Sequence, residues 1–550
     1  MVRTIVVGGV AGGMSAATRL RRLASGAEIV VLERGPEVSY ANCGLPYYAG
    51  GVIERRDDLL LQTPQSLHTR FGLDVRVRTE VLAIDRETRR LRVRDLVTGR
   101  EYDEGYDHLV LSPGAAPVVP ELPGVERALT LRTVAEADRL AAAVRGGART
   151  AVVVGGGFIG LEVAENLARR GLTVAVVERD AQVLAPLDPE MAAPVHAELA
   201  ANGVALHLGA TVTKVLADVV ELHDGRLLDA DLVLLAIGVR PETDLASGAG
   251  LKLGPRGGIA VDETMRTSDP HIYAVGDAVE KVDRVGGAPS LIPLANSANR
   301  QGRLAADAIA GLPVRLGGRI GTAIVQVFGL TVATTGANEK RLRAAGRPYR
   351  VIHTHPASHA GYYPGAEPMS LKLLLDPDDA TLLGAQAVGG AGVDKRIDVL
   401  ATALYAGLRA DELADLELGY APAFGSAKDP VNMLGYIAGN QLSDGEQSIQ
   451  WHEVAAAVEA GAALLDVRTA AEYAAGHLPG AISLPLDELR ERMAEVPDRA
   501  LIVYCQVGQR GHTATALLTG HGYRVHNLDG GYRTWKAGTA SVQSARPGAA

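Results

Sequence analysis

The chain has 550 residues, 47% hydrophobic and 22% charged, a composition that supplies ample core for about three or four domains. A formal charge of −9 excludes a global attraction to nucleic acid or anionic membrane, so neither partner is expected. No apolar run approaches the roughly 20 residues that cross a bilayer, and an apolar strand starts almost at the N-terminus, so the expectation is a cytoplasmic protein.

In chain order, the strand Thr4–Val7 enters a glycine-rich turn, Gly8-Gly9-Val10-Ala11-Gly12-Gly13. A helix follows through Leu23, then a strand, Glu28–Leu32, ending at Glu33. This is the βαβ pattern of a dinucleotide site, in which turn amides meet a pyrophosphate at a helix N-terminus and the acidic residue accepts ribose hydroxyls. Val10 replaces the middle glycine of the strict pattern. Cys43 comes next, within Ser39-Tyr40-Ala41-Asn42-Cys43-Gly44-Leu45-Pro46-Tyr47. The only other cysteine is Cys505, so a structural disulfide framework is implausible and two separate thiol chemistries are expected.

The strand Thr150–Val154 leads into the full pattern, Gly155-Gly156-Gly157-Phe158-Ile159-Gly160, and a helix to Arg170. A second strand, Thr173–Val177, ends at Glu178, whose carboxylate would repel a 2′-phosphate and favours NADH over NADPH. Arg179 partly offsets that preference. Two such units suggest a flavin site and a nicotinamide site. A later strand ends in Val275-Gly276-Asp277, where a carboxylate can be aimed at the ribityl hydroxyls of a flavin.

These motifs, in this order over residues 1–440, resemble the flavoprotein pyridine nucleotide–disulfide oxidoreductases. The resemblance implies an FAD domain in two pieces, 1–115 and 241–322, around an NAD(P)H domain, 116–240, with a dimerisation domain at 323–438. FAD would be held by Gly8, Gly9, Val10, Ala11, Gly12, Gly13, Glu33, Pro113, Gly114, Gly276 and Asp277. NADH or NADPH would be held by Gly155, Gly157, Gly160 and Glu178. With no second cysteine near Cys43, an internal dithiol cycle is excluded, and electrons must reach Cys43 through a bond to an exogenous group.

The frame around Cys43, with Tyr420-Ala421-Pro422-Ala423-Phe424-Gly425-Ser426-Ala427-Lys428-Asp429-Pro430, resembles coenzyme A–disulfide reductase. That resemblance implies a Cys43–coenzyme A mixed disulfide, a homodimer, and Tyr362 and Tyr420 acting from the partner subunit. Tyr363 competes for the first role. Coenzyme A contacts are implied at Ser15, Arg19, Arg22, Ser39, Asn42, Asn299 and Lys428. Asn299 departs from the histidine of some relatives. An NADH oxidase or peroxidase using a Cys43 sulfenic acid is the alternative, although Ala11 stands where those enzymes typically place a histidine.

Residues 439–448 read as a polar linker and 538–550 as a disordered tail. Between them, 449–537 resembles a rhodanese domain, with Cys505-Gln506-Val507-Gly508-Gln509-Arg510-Gly511 as the loop after a strand, Ala500–Tyr504. Loop amides and the following helix N-terminus would stabilise a thiolate or persulfide at Cys505, with Arg510 the loop's only cation. The expected fold class is therefore α/β: two Rossmann-like dinucleotide-binding domains, an α+β dimerisation domain and a C-terminal rhodanese α/β domain. The expected activity is reduction of a small-molecule disulfide, persulfide or polysulfide, using FAD, NADH or NADPH, and coenzyme A, with no metal. A flavin-based redox sensor is the non-enzymatic alternative.

Overall fold

Strands that are apolar on both faces require a sheet covered on both sides, and the N-terminal runs of valine and isoleucine form one. The computed structural model describes residues 2–314, 317–443 and 447–544. The chain divides into two units, Met1–Val177 with Thr211–Gly321, and Glu178–Ala210 with Thr322–Ala550.

In the first unit, five parallel strands lie in the order Ile272–Ala274, His108–Leu111, Arg3–Val7, Glu28–Leu32, Asp74–Arg76. Alternate residues divide between two cores. Ile5, Val30, Leu109 and Ala274 belong to one, and Val6, Val31, Val110 and Tyr273 to the other. The helix Ala11–Leu23 packs against Ala295–Ile309. Gly302 permits that approach, because a Cβ there would lie 2.1 Å from the Gly12 carbonyl oxygen. A second parallel set places Thr150–Val154 between Thr173–Glu178 and Leu232–Leu235, with the helix Phe158–Arg169 leaving the central strand.

The second unit contains an antiparallel sheet in the order Ala323–Val327, Leu330–Gly336, Leu382–Gly389, Met369–Leu375, Arg350–Thr354. It also contains a parallel sheet in the order Ser448–Ile449, Val525–Leu528, Leu501–Tyr504, Ala463–Asp466, Ile482–Ser483. Leu465, Val503, Ala514 and Leu518 fill one side of the latter, and Leu464, Ile502, Tyr504 and Leu528 the other. Among the described residues, no helix is long and apolar enough to cross a membrane.

Two expectations fail. The segment read as a linker from 439 is helical through Ser443, within the helix Pro430–Ser443; residues 444–446 lie outside the described residues. Its polar side chains mislead because Ala438 just before them is fully buried, so packing and not composition extends the helix. The segment read as disordered from 538 is helical through Ser544, and 545–550 lie outside the described residues. Small residues here serve packing: a Cβ on Gly538 would lie 2.3 Å from the Trp451 ring, and Ser541 is buried with its hydroxyl donating to the Gly538 carbonyl at 2.7 Å.

A buried charge cluster sits in the core of the second unit. Lys372, fully buried, places Nζ 2.9 Å from Asp188 and also ion-pairs with Glu190 and Glu339. These carboxylates attract the ammonium proton and hold the Lys372 pKa up against the opposing effect of burial, the larger single influence. The three carboxylate groups converge closely enough to suit a cation, and the lysine supplies it.

Candidate active sites at Cys43 and Cys505

The two glycine turns have the same backbone register. Gly8 and Gly155 take φ of +101° and +108°, in the left-handed region that glycine tolerates. A Cβ on Gly13 would lie 1.9 Å from the Gly8 carbonyl oxygen, and one on Gly160 would lie 2.0 Å from that of Gly155. Both third glycines therefore permit close helix–strand packing. At the middle position the turns differ. A Cβ on Gly157 meets nothing within 4 Å, leaving the backbone open to a ligand, whereas Val10 occupies the matching place and caps its helix. These cradles fit the pyrophosphates of two dinucleotides.

Glu33 lies against the first turn, its two oxygens accepting from the amides of Gly9 at 2.6 Å and Gly35 at 2.7 Å. Ser39, at φ +48°, donates its amide to the Gly9 carbonyl at 2.8 Å, which fixes the start of the cysteine segment to that turn. Cys43 then sits in a 3-10 turn, Asn42–Gly44, as a free, exposed thiol. Asn42 Oδ1 accepts the Cys43 amide at 3.1 Å and lies 3.8 Å from Sγ.

Although exposed, the thiol is ringed by protein. Partial desolvation pushes its pKa up, the carboxylates of Glu162 and Asp277 push the same way, and Arg132 opposes them. Arg132 is a residue the motifs did not reveal. Its guanidinium donates to the Ala115 carbonyl at 2.9 Å and reaches Asp277 at 3.5 Å, and it lies 2.7 Å from where a Cβ of Gly114 would stand. Thus Gly114, which follows Pro113, and Asp277 meet at one cation whose charge also acts on Cys43. Tyr47 donates to Glu162 at 3.0 Å, and Tyr40 donates to the Arg132 carbonyl at 3.4 Å, its own pKa pushed by burial to about 12.

Of the residues implied for coenzyme A, Ser15 and Asn299 meet at 2.9 Å, the serine hydroxyl donating. Arg19 is held by Asp307 at 2.6 Å, while Arg22 is exposed. Lys428 is exposed in the second unit. Tyr362 and Tyr420 meet there through their hydroxyls at 3.1 Å. They are 75% and 50% exposed, and Phe424 is exposed at 74%. Tyr363 instead packs edge-on against His359. Glu178 closes its strand and accepts the Asp180 amide at 2.8 Å.

Cys505 is fully buried at the end of Leu501–Tyr504, and the Gly508 amide donates to Sγ at 3.2 Å. Gly508, at φ +96°, caps the helix Gln509–Gly520, so the helix N-terminus faces the sulfur's loop. Arg510 pairs bidentately with Glu472 at 2.8 and 2.6 Å, and this drives the Glu472 pKa down to about 2. A second cation, missed in the sequence, supports the loop. Arg468, buried on Asp466, donates to Gln506 Oε1 at 3.1 Å and lies 4.3 Å over the Tyr532 ring.

This architecture is that of a two-dinucleotide flavoprotein oxidoreductase joined to a sulfur-handling domain. The chain belongs to the pyridine nucleotide-disulphide oxidoreductase family, whose model matches residues 2–302. The family's dimerisation domain matches 322–430 and a rhodanese-like domain 450–538. Over 442 residues it is 34% identical to the coenzyme A disulfide reductase of Staphylococcus aureus, covering 80% of this chain and all of that one. The crystal structure of reduced Bacillus anthracis CoADR-RHD superimposes with a TM-score of 0.96 at 48% identity, covering 98% of both chains. The NAD-dependent persulfide reductase from A. fulgidus does so with a TM-score of 0.92 at 37% identity, covering 97% of this chain and all of that one.

Proposed function

We propose that the protein is an NADH-dependent flavoprotein that reduces coenzyme A disulfide and persulfides at Cys43, with sulfane sulfur handled at Cys505. The observation supporting this most directly is the pair of free thiols, each in a frame of its own. Gly8–Gly13, Glu33, Pro113, Gly114, Gly276 and Asp277 would hold FAD, and Gly155, Gly157, Gly160 and Glu178 would hold NADH. Bound FAD supplies two-electron transfer between a nicotinamide and a sulfur–sulfur bond.

Cys43 thiolate attacks the disulfide of coenzyme A, forming a Cys43–coenzyme A disulfide and releasing one coenzyme A thiolate. Two electrons, ultimately from NADH, then cleave that bond and return Cys43 thiolate and a second coenzyme A thiolate. A proton donor lowers the cost of each departing thiolate. The joined phenols of Tyr362 and Tyr420 suit that role from the partner subunit, since a phenol's pKa of about 10 lies near a thiol's. Ser15, Asn299, Ser39, Asn42, Arg22 and Lys428 would contact coenzyme A, with Arg19 steadied by Asp307. The match to the family's dimerisation domain supports a homodimer, and two reduced, working thiols suit the cytoplasm.

At Cys505, the thiolate attacks the outer sulfur of R–S–S⁻, releasing R–S⁻ and leaving a Cys505 persulfide. An acceptor thiolate then takes that sulfur and restores the Cys505 thiolate. The Gly508 amide stabilises both charged forms.

The test is Cys43→Ala. It is expected to keep its FAD and to accept electrons from NADH, yet lose more than about 100-fold in turnover of coenzyme A disulfide, because the nucleophile is gone. Stopped-flow absorbance separates the two steps. A variant that retained most of its turnover would overturn the role given to Cys43.

A further inference from the structure

Arg350–Thr354 is one of the two edge strands of its antiparallel sheet, and an edge leaves backbone donors and acceptors unpaired. Here they are met by side chains of the rhodanese-like domain. The His353 amide donates to both oxygens of Asp529, at 3.1 and 3.0 Å. The Val351 carbonyl accepts Gln450 Nε2 at 3.3 Å, and that amide also reaches Asp529 at 3.2 Å. The His353 ring completes the arrangement. Nδ1 lies 2.6 Å from Asp529 and Nε2 lies 3.1 Å from Glu190, so the doubly protonated ring donates to a carboxylate at each end.

Asp529 is also the residue before the two glycines that support the Cys505 loop. Gly530 and Gly531 take φ of +66° and +63°. A Cβ on Gly531 would lie 2.5 Å from the Cys505 carbonyl oxygen and 2.8 Å from the Gly508 nitrogen, the same amide that donates to Sγ. One on Gly530 would lie 2.8 Å from the His353 Cβ. Just beyond, the amides of Tyr532 and Arg533 donate to the carbonyls of Cys505 and Gln506, at 2.8 and 3.0 Å. A short stretch of backbone therefore has one end fixed to a strand of the dimerisation domain and the other fixed to the catalytic loop.

From this geometry we infer that His353 is a positioning residue for sulfur transfer at Cys505, acting through Asp529 and the Gly530–Gly531 backbone. The inference rests on the sulfurtransferase reading of Cys505. Residues from outside the rhodanese fold thereby set how well the Gly508 amide is aimed at the persulfide.

The arrangement also has a pH signature. The ring is surrounded by Asp529 and Glu190, which favour its charge, while Lys372 opposes it. Just beyond the end of the strand His355 is neutral, its pKa pushed well down by burial, with Arg533 and His353 adding repulsion. Burial lowers the His353 pKa, but its carboxylate partners outweigh that effect and leave it at about 9. Because the folded value lies above the ordinary one, the clamp is complete below about 6.5. It is lost as pH rises through 9.

The test uses full-length holoenzyme and measures transfer from glutathione persulfide to cyanide, read as thiocyanate formed above a Cys505→Ala background. His353→Asn and Asp529→Asn are each expected to lower kcat about tenfold with KM within about twofold, and their double variant to be little worse than either. Both should leave NADH-linked coenzyme A disulfide reduction unchanged. Wild-type transfer should also fall as pH rises through 9, a limb that Asp529→Asn lacks. If His353→Asn does not fold, Asp529→Asn, which keeps the side-chain shape, decides the matter. Wild-type kcat in folded variants overturns the clamp alone. A wild-type rate no higher than the Cys505→Ala background overturns the reading of Cys505, and the clamp with it.

Discussion

A thiol's reactivity is set by the charges around it, and at Cys43 those charges conflict. Desolvation and the carboxylates of Glu162 and Asp277 oppose the thiolate, and Arg132 favours it. Glu162 is itself pushed up by burial while Tyr47 donates to it. Replacing it with glutamine removes a negative charge and keeps an acceptor for the tyrosine. Glu162→Gln, in a Cys505→Ala background that leaves one thiol, should therefore lower the Cys43 pKa. The expected result is alkylation by iodoacetamide about threefold faster near pH 8, where the thiolate fraction limits the rate. An unchanged rate would mean that Glu162 does not act on the sulfur. The cysteine frame stands out in the sequence because its residues, Ser39 to Tyr47, are contiguous. Arg132 does not, since it is a lone arginine, distant in sequence, that becomes meaningful only beside Gly114 and Asp277. Arg468 escaped in the same way, its signal being a tertiary contact with Gln506.

At the level of elements, glycine made the turns readable. Positive φ at Gly8 and Gly155, and the crowding that a Cβ would cause at Gly13 and Gly160, are local demands that leave a mark in the chain itself. The helices at 430–443 and 531–544 leave no such mark where they run through polar or small residues, and only packing shows that they continue. The strand Met369–Leu375 hides its most consequential residue for a similar reason. Lys372 is a lone cation in an apolar strand, and nothing nearby in sequence indicates that Asp188, Glu190 and Glu339 will surround it. Removing it leaves those carboxylates without their counter-charge in a dry core. Lys372→Met should therefore destabilise the fold by about 3–5 kcal/mol, the usual cost of breaking a buried ion pair from one side. Urea unfolding at neutral pH measures it. Lowering the pH should recover part of the loss, because protonation relieves the stranded carboxylates, and a loss below about 1 kcal/mol would show that the cluster is solvated.

For the molecule as a whole, the two thiols occupy different units, and the proposed function gives each its own reaction. Cys43 is exposed near a glycine turn, whereas Cys505 is buried beneath a helix N-terminus with the Gly508 amide on its sulfur. Reduction of coenzyme A disulfide asks for a nucleophile, two electrons and a proton for the departing thiolate, none of which the proposed function draws from Cys505. Sulfane sulfur is different, because an outer sulfur must be lifted from its donor and kept charged until an acceptor arrives, and that demands an amide-lined loop. Cys505→Ala should therefore abolish sulfur transfer and slow reduction of bulky persulfides by about tenfold or more, the typical penalty for losing a covalent route. Coenzyme A disulfide reduction should continue within about twofold of wild type. NADH oxidation by the variant, followed with each substrate at matched FAD content, decides between division of labour and a single shared path. Equal losses on both substrates would show that sulfur and electrons pass through one obligatory sequence and that the two-site assignment is wrong.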